Sequence, residues 1–167
     1  MIIREAIESD IDQMVVIYNH YVESTSVSFE EDPISFATLK ERMDTVTSSG
    51  LPWLVVENNG HIEGYAYAGQ WNKRSAYKYT VEPSIYLAAR NIGKGIGRAL
   101  YYDLLSILKN KNIKNAIGVI ALPNPSSVAL HEKLGFKKVG EFDRIGVKFG
   151  QEVSVGYWQL KLDDYCA

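Results

Sequence analysis

The stretch Arg90–Leu108, RNIGKGIGRALYYDLLSIL, sets Gly93, Gly95 and Gly97 within five positions and then runs at once into an apolar pattern at helical spacing. Ile96, Leu100, Leu104, Ile107 and Leu108 share one side of a helix expected to begin near Arg98. A strand expected over about 77–89 leads in, so the glycines stand at a strand-to-helix turn. Glycines let a ligand approach the main chain, and the unbonded N–H groups of a helix start carry partial positive charge. That arrangement suits a pyrophosphate, and it also suits a tight turn packed for its own sake; the stretch alone leaves both open. Two phosphate motifs are excluded by spacing. No Walker pattern occurs, and Gly-x-Gly-x-Gly is not the Gly-x-Gly-x-x-Gly of a dinucleotide fingerprint. A nucleoside triphosphate or nicotinamide site is therefore not expected.

Toward the N-terminus, WLVVENNGHIEGYAYAG reads as two strands joined at Asn59-Gly60, because Asn-Gly supplies the positive backbone angles of a tight hairpin. A short strand over Ile2–Glu5 precedes a helix that Ser9 is expected to cap, with Ile11, Met14, Val15, Tyr18 and Val22 on one face. A second helix is expected near Ser35–Thr47, where Phe36, Leu39, Met43 and Val46 step by 3, 4 and 3. Toward the C-terminus, NAIGVIAL reads as a buried strand, Pro125–Leu134 as a short helix, and VGEFDRIGVKFGQEVSVGYWQLKL as two more strands. Hairpins first and strand–helix alternation later predict an α/β (α+β) fold, a mixed sheet covered by helices.

The 167 residues, 46% of them hydrophobic, suffice for one ordinary core, so a single domain over 1–167 is expected. A net charge of -2 shows no overall pull toward nucleic acid or an anionic membrane, and any anion site must be local. The one cysteine, Cys166, precludes an internal disulfide and fits a reducing compartment, hence a cytoplasmic address. No apolar run approaches the roughly 20 residues of a membrane span, and MIIREAIESD lacks the pattern of a signal peptide. His20 and His61 show no metal-ligand spacing, so no metal is expected.

A second constellation bears on the glycines. ALPNPSSVALHEKLGFKKVG puts Asn124 at a strand end, where it can cap the helix beginning at Pro125 or bind a ligand, and puts His131 seven residues on. A glycine turn about thirty residues ahead of an Asn-led helix ending in Leu-Gly-Phe resembles the GNAT superfamily of N-acetyltransferases. YNHYVESTSVSFEEDP, WNKRSAYKYTVEPSIYL and the later HEKLGF, GVKFG and VGYWQL are similar to its phosphinothricin and methionine sulfone/sulfoximine acetyltransferase branch, over nearly the whole chain. The resemblance implies a mostly antiparallel twisted sheet of about seven strands with about four helices and a V-shaped splay between the central parallel strands. It also implies acetyl-CoA as cosubstrate, a small-molecule amine as substrate and a homodimer. Ile85, Tyr86 and Leu87 would lie along the pantetheine arm, Gly93, Lys94, Gly95, Ile96, Gly97 and Arg98 around the pyrophosphate, and Asn124 beside the thiol end. Ile92 departs from the family, whose loop usually has Gln or Arg there, and Arg90 sits two residues earlier.

Acetyl transfer from a thioester requires a neutral amine, whereas a primary amine is largely protonated at neutral pH. The resemblance places the general base at Glu82 in YTVEPS, and a main-chain N–H, that of Leu87, can stabilise the oxyanion; His131 is expected in the site as acid or second base, or in a structural role holding Glu82 or the substrate amine by a hydrogen bond. Substrate selection would fall to Arg74, Ser75, Ala76, Tyr77 and Lys78, where two cations beside an aromatic suit an amino-acid-like ligand, with Phe29 covering the site. The same loop also reads as a solvated basic turn. Two other functions fit the motifs: acetylation of a protein N-terminus or polyamine, and a non-catalytic acetyl-CoA-binding module.

Overall fold

A computed structural model describes residues 1–165, so Cys166 and the redox reading built on it lie outside the described residues. Seven strands, β1 (Ile2–Glu5), β2 (Trp53–Asn58), β3 (His61–Gln70), β4 (Thr80–Leu87), β5 (Asn115–Leu122), β6 (Lys137–Lys148) and β7 (Gln151–Lys161), are joined by four helices. These are α1 (Ile11–Ser24), α2 (Phe36–Ser48), α3 (Ile96–Asn110) and α4 (Pro125–Lys133). One sheet runs in the order β1-β2-β3-β4-β5-β7-β6. The β2–β3 hairpin turns at Asn59-Gly60, whose φ values of 50° and 80° are those the dipeptide predicts.

Every strand pair is antiparallel except β4 with β5, and that ladder holds only two pairs, Thr80 with Asn115 and Val81 with Ala116. Beyond it β4 stays paired with β3 out to Leu87 and β5 with β7 out to Leu122, so the sheet opens into a wedge. Pro83 stands where the two strands part, and it has no N–H to offer a neighbour. The Ala88 N–H donates to the Glu63 carbonyl at 3.0 Å. Two-residue alternation along that ladder turns the main-chain groups of Leu87, Ile85 and Pro83 toward the wedge.

The core lies on both faces. On one, Leu100, Tyr101, Leu104, Leu105 and Leu108 of α3 pack on Leu54, Val56, Ala66 and Val81; on the other, Ile11, Met14 and Val22 of α1 and Leu39 and Met43 of α2 pack on Trp53, Val55 and Tyr65. Successive residues of β2 serve opposite faces, which is why Trp53–Val56 is an unbroken apolar run. Each such buried aliphatic side chain contributes about 1.5–3 kcal/mol.

Three boundaries differ from expectation. Ser9 lies inside a 3-10 turn, Glu8–Asp10, and α1 begins at Ile11; Asp10 takes the N-cap position without a side-chain bond into α1, its carboxylate instead accepting the Ile7 N–H ahead of the turn at 2.9 Å. Helix α3 begins two residues before Arg98, because Gly95 takes the left-handed N-cap position. Strand β4 is shorter than 77–89, since 3-10 turns at Ser75–Tyr77 and Ala89–Asn91 flank it. Ser35 does cap α2, accepting the Thr38 N–H at 3.2 Å.

Candidate active site

The glycine turn follows directly from β4 at the wedge mouth. Gly93 and Gly95 hold φ of 83° and 82°, a region costly for residues with a Cβ. Lys94 N–H donates to Asn91 O at 3.4 Å and Arg98 N–H to Gly95 O at 3.1 Å. Among the described residues, the N–H groups of Gly93, Gly95, Ile96 and Gly97 have no main-chain acceptor outside the helix. Four free donors at a helix start form a cradle for an anion. The cradle's base is anchored on β3: the buried Asn91 amide donates to the Glu63 carboxylate, and Arg90 pairs with that carboxylate at 2.8 Å. Arg90 is therefore committed to Glu63 and does not stand in for a polar side chain at Ile92, which is exposed.

Glu82 sits one residue past the end of the parallel ladder, opposite Gly69 of β3. Strand alternation puts it on the face of Ser84 and Tyr86, the α1–α2 side, with Tyr67. Burial pushes its carboxyl above the ordinary glutamate value. Such a group binds a proton more readily than a solvated carboxylate, as a base working near neutrality must.

His131 lies across the sheet, on the α3–α4 side, and is 4% exposed. Its Nδ1 is 2.8 Å from the Ser127 carbonyl, which only accepts, so Nδ1 carries the proton. Burial lowers the imidazole's proton affinity and keeps it neutral, leaving Nε2 to accept from the Tyr101 hydroxyl at 3.0 Å. That hydroxyl also stands 3.3 Å from the Pro83 carbonyl, at the wedge. A Cβ on Gly118 of β5 would meet the imidazole at 2.6 Å, so only glycine lets the ring lie against the strand. The expected hydrogen bond from His131 to Glu82 is thus absent among the described residues: the two occupy opposite faces, and the histidine's partners are Tyr101 and Ser127.

One more expectation changes. The Leu87 N–H is not free: it donates to the Tyr21 hydroxyl at 3.3 Å, and that hydroxyl donates to Leu87 O at 2.7 Å. Asn124 does cap α4, Oδ1 accepting from Ser127 N–H at 3.1 Å, which leaves its amide nitrogen available at the strand–helix junction. Ile85 and Leu87 pack toward α3 while Tyr86 packs toward α1, with its ring 5.4 Å from that of Tyr21.

The expected substrate residues are not gathered into a pocket of this chain. Arg74, Ser75, Ala76, Tyr77 and Lys78 form an exposed 3-10 turn, and neither cation is in an ion pair among the described residues. Phe29 packs on Gly146 of β6, where a Cβ would meet its ring. Beside it Lys148, 2% exposed, donates to the Ser28 carbonyl at 2.5 Å. Tyr21, Tyr101 and Lys148 escaped the sequence reading. Their partners lie 18 to 120 residues away, beyond the reach of local spacing.

Comparison with known proteins agrees with this geometry. Residues 3–154 match the acetyltransferase (GNAT) domain family. The phosphinothricin N-acetyltransferase of Streptomyces viridochromogenes is 39% identical over 94% of this chain and 85% of its own length. The L-methionine sulfoximine/L-methionine sulfone acetyltransferase of Salmonella typhimurium is 32% identical over 100% and 98%. Among solved structures, the Salmonella typhimurium acetyltransferase yncA with acetyl-CoA superposes with a TM-score of 0.95 at 32% identity, covering 100% of this chain and 96% of that one. A phosphinothricin acetyltransferase from Sinorhizobium meliloti in complex with acetyl-CoA gives 0.93 at 35%, covering 96% and 87%. Sequence, sheet order, wedge and glycine cradle together make this chain a member of the GNAT family of N-acetyltransferases.

Proposed function

We propose that the enzyme transfers acetyl from acetyl-CoA to the amino group of a small amino-acid-like substrate of the phosphinothricin, methionine sulfone or methionine sulfoximine type, with Glu82 as general base. The observation that carries this reading is the position of Glu82: a half-buried, proton-seeking carboxyl at the apex of the wedge onto which the anion cradle opens. The names of the relatives support the substrate class.

In this mechanism the cradle at 93–98 takes the pyrophosphate through main-chain donors, and Ile85–Leu87 with the Asn124 amide align the pantetheine along the open edge of β4. Glu82 removes one proton from the substrate ammonium. The freed lone pair then forms the N–C bond to the thioester carbonyl. Oxyanion stabilisation by Leu87 N–H requires exchange of its 3.3 Å bond to Tyr21 for one to the acyl oxygen. As the C–S bond breaks, the second proton lost by nitrogen balances the one that the thiolate gains. Donation by the Tyr101 hydroxyl, which faces the wedge at Pro83, to the departing sulfur requires exchange of its 3.0 Å bond to His131 Nε2, and His131 acts through Tyr101 as a positioning residue. Arg74 and Lys78 receive the substrate's acidic groups, and acetylation removes the charge of its amine, the chemistry of a detoxifying step.

The test is Glu82→Gln. Turnover with methionine sulfone, methionine sulfoximine or phosphinothricin is expected to fall at least about tenfold with acetyl-CoA affinity retained. Unchanged kcat removes Glu82 from the mechanism. Acetyl-CoA binding with no accepted amine in the wild type favours a non-catalytic module.

We also propose that the active form is a homodimer. Strand β6 is an edge strand, and Val139, Phe142, Ile145, Val147 and Phe149 on and beside it are exposed. An uncovered apolar edge invites pairing.

A further inference from the structure

Lys148 closes strand β6 and is buried, yet among the described residues it is in no ion pair. Its ammonium donates to the Ser28 carbonyl, in the segment between α1 and α2. Burial lowers its proton affinity, and the nearby charges of Glu30 and Glu31 oppose that fall. Burying an ammonium is costly, and an apolar side chain would fill the same space without that cost. What the cation adds is direction: a charge-assisted bond holds one carbonyl in one place. Gly146 stands two residues earlier on the same face of β6, and a Cβ there would meet the Phe29 ring at 2.4 Å. Alternate residues of one strand thus grip the consecutive residues Ser28 and Phe29.

The gripped segment borders the face on which Glu82 lies. The Ser28 hydroxyl is 3.0 Å from the Tyr18 hydroxyl and accepts the Glu30 N–H at 3.2 Å. The Tyr18 ring stands edge-on to that of Tyr86, 4.9 Å away, and Tyr86 shares its face of β4 with Ser84 and Glu82. Glu30 in turn is bound by the guanidinium of Arg42 on α2. The Tyr67 hydroxyl, raised chiefly by burial, feels the charges of Arg42, Glu82 and Glu30 alike, so the segment and the base flank one side chain. Resting on the reading that Glu82 receives the substrate amine, we infer that Lys148 is a positioning residue for that amine: it fixes Ser28–Glu30 as a wall of the Glu82 face. No bond of this network involves the cradle at 93–98, so acetyl-CoA binding does not depend on it.

The experiment uses Lys148→Met, which removes the charge and keeps an unbranched chain. Hydrogen exchange over residues 27–34 is expected to quicken about tenfold or more, with α3 unchanged, as loss of a bond to a charged group predicts. The KM for methionine sulfone is expected to rise about tenfold or more, with kcat held within about threefold and the acetyl-CoA Kd from calorimetry within about twofold. Gly146→Ala, which displaces Phe29 and leaves the lysine in place, is expected to raise the same KM. Unchanged exchange over 27–34, or an unchanged KM in either variant, overturns the inference. An equal loss of acetyl-CoA affinity also overturns it, since Lys148 then supports the whole fold rather than one wall. A wild type that turns over no amine removes the Glu82 reading instead, and the exchange rates still decide whether Lys148 holds the segment.

Discussion

Glu82 shows how burial turns an ordinary side chain into a chemical group. Desolvation raises its carboxyl because the ionised form loses water without gaining a counter-charge. The folded protein therefore binds this proton more tightly than the unfolded chain, and stability falls as pH rises from the unfolded value, about 4.3, to the higher folded one. Glutamine carries no such cost. Glu82→Gln is expected to raise the melting temperature at pH 7 and to lose that gain below about pH 4, where the wild-type group is protonated in both states. Equal gains at both pH values in thermal melts would contradict the assignment. His131 shows the converse lesson. Its spacing from Asn124 is legible in the sequence, but its tautomer is set by Ser127 one helical turn back, and its partner Tyr101 sits 30 residues away on α3.

Strand β4 has a different neighbour along each part of its length. Over Thr80–Val81 it is a central strand, and from Pro83 on it is open along one edge, which is how a sheet makes a slot without ending. The cradle that follows depends on Asn91 and Arg90 fastening the turn to Glu63 of β3. At the other end of the sheet, Arg4 of β1 holds Asp10 through two bonds at 2.7 and 2.8 Å and also pairs with Glu57 of β2, tying strand, turn and α1 together. The hydrogen bonds from Arg4 hold the Asp10 carboxyl below its ordinary value, with the Ile7 N–H adding to the effect. This contribution is present above the unfolded value of about 3.9 and is lost as pH falls through the lower folded one. Asp10→Asn is expected to cost about 1–3 kcal/mol near neutral pH, read from urea unfolding midpoints, with the difference shrinking in acid. A midpoint unchanged at pH 7 would show that the network carries no stability.

The molecule exposes 9192 Å², against about 8,300 Å² expected of a compact monomer of 18.8 kDa. The long β6–β7 hairpin, whose first strand is exposed nearly throughout, accounts for the direction of that excess. An excess of this size is comparable with the area, about 800 Å², that each partner buries in a standard interface. Light scattering coupled to size exclusion is expected to give twice the chain mass, and Ile145→Lys/Val147→Lys to shift the protein toward the monomer. A monomeric wild type would rule out the dimer. The hairpin also reaches back to the segment between α1 and α2, where Lys148 meets Ser28 and Phe29 packs on Gly146.

The local features of this protein were legible in its residue order because their causes are local. Asn59-Gly60 allows one tight turn, Ser35 and Asn124 cap the helices they precede, and apolar spacing marks the buried faces of α2 and α3. The family resemblance carried the expected sheet, wedge and positions of Glu82 and the glycine cradle. Tertiary packing alone decided that Glu82 and His131 take opposite faces, that Tyr21 occupies the Leu87 N–H, that Arg90 serves Glu63, and that Lys148 meets Ser28 from 120 residues away. A turn or a cap is governed by a few adjacent dihedral angles, whereas a side chain's partner and its burial depend on which remote segments the closed sheet brings against it.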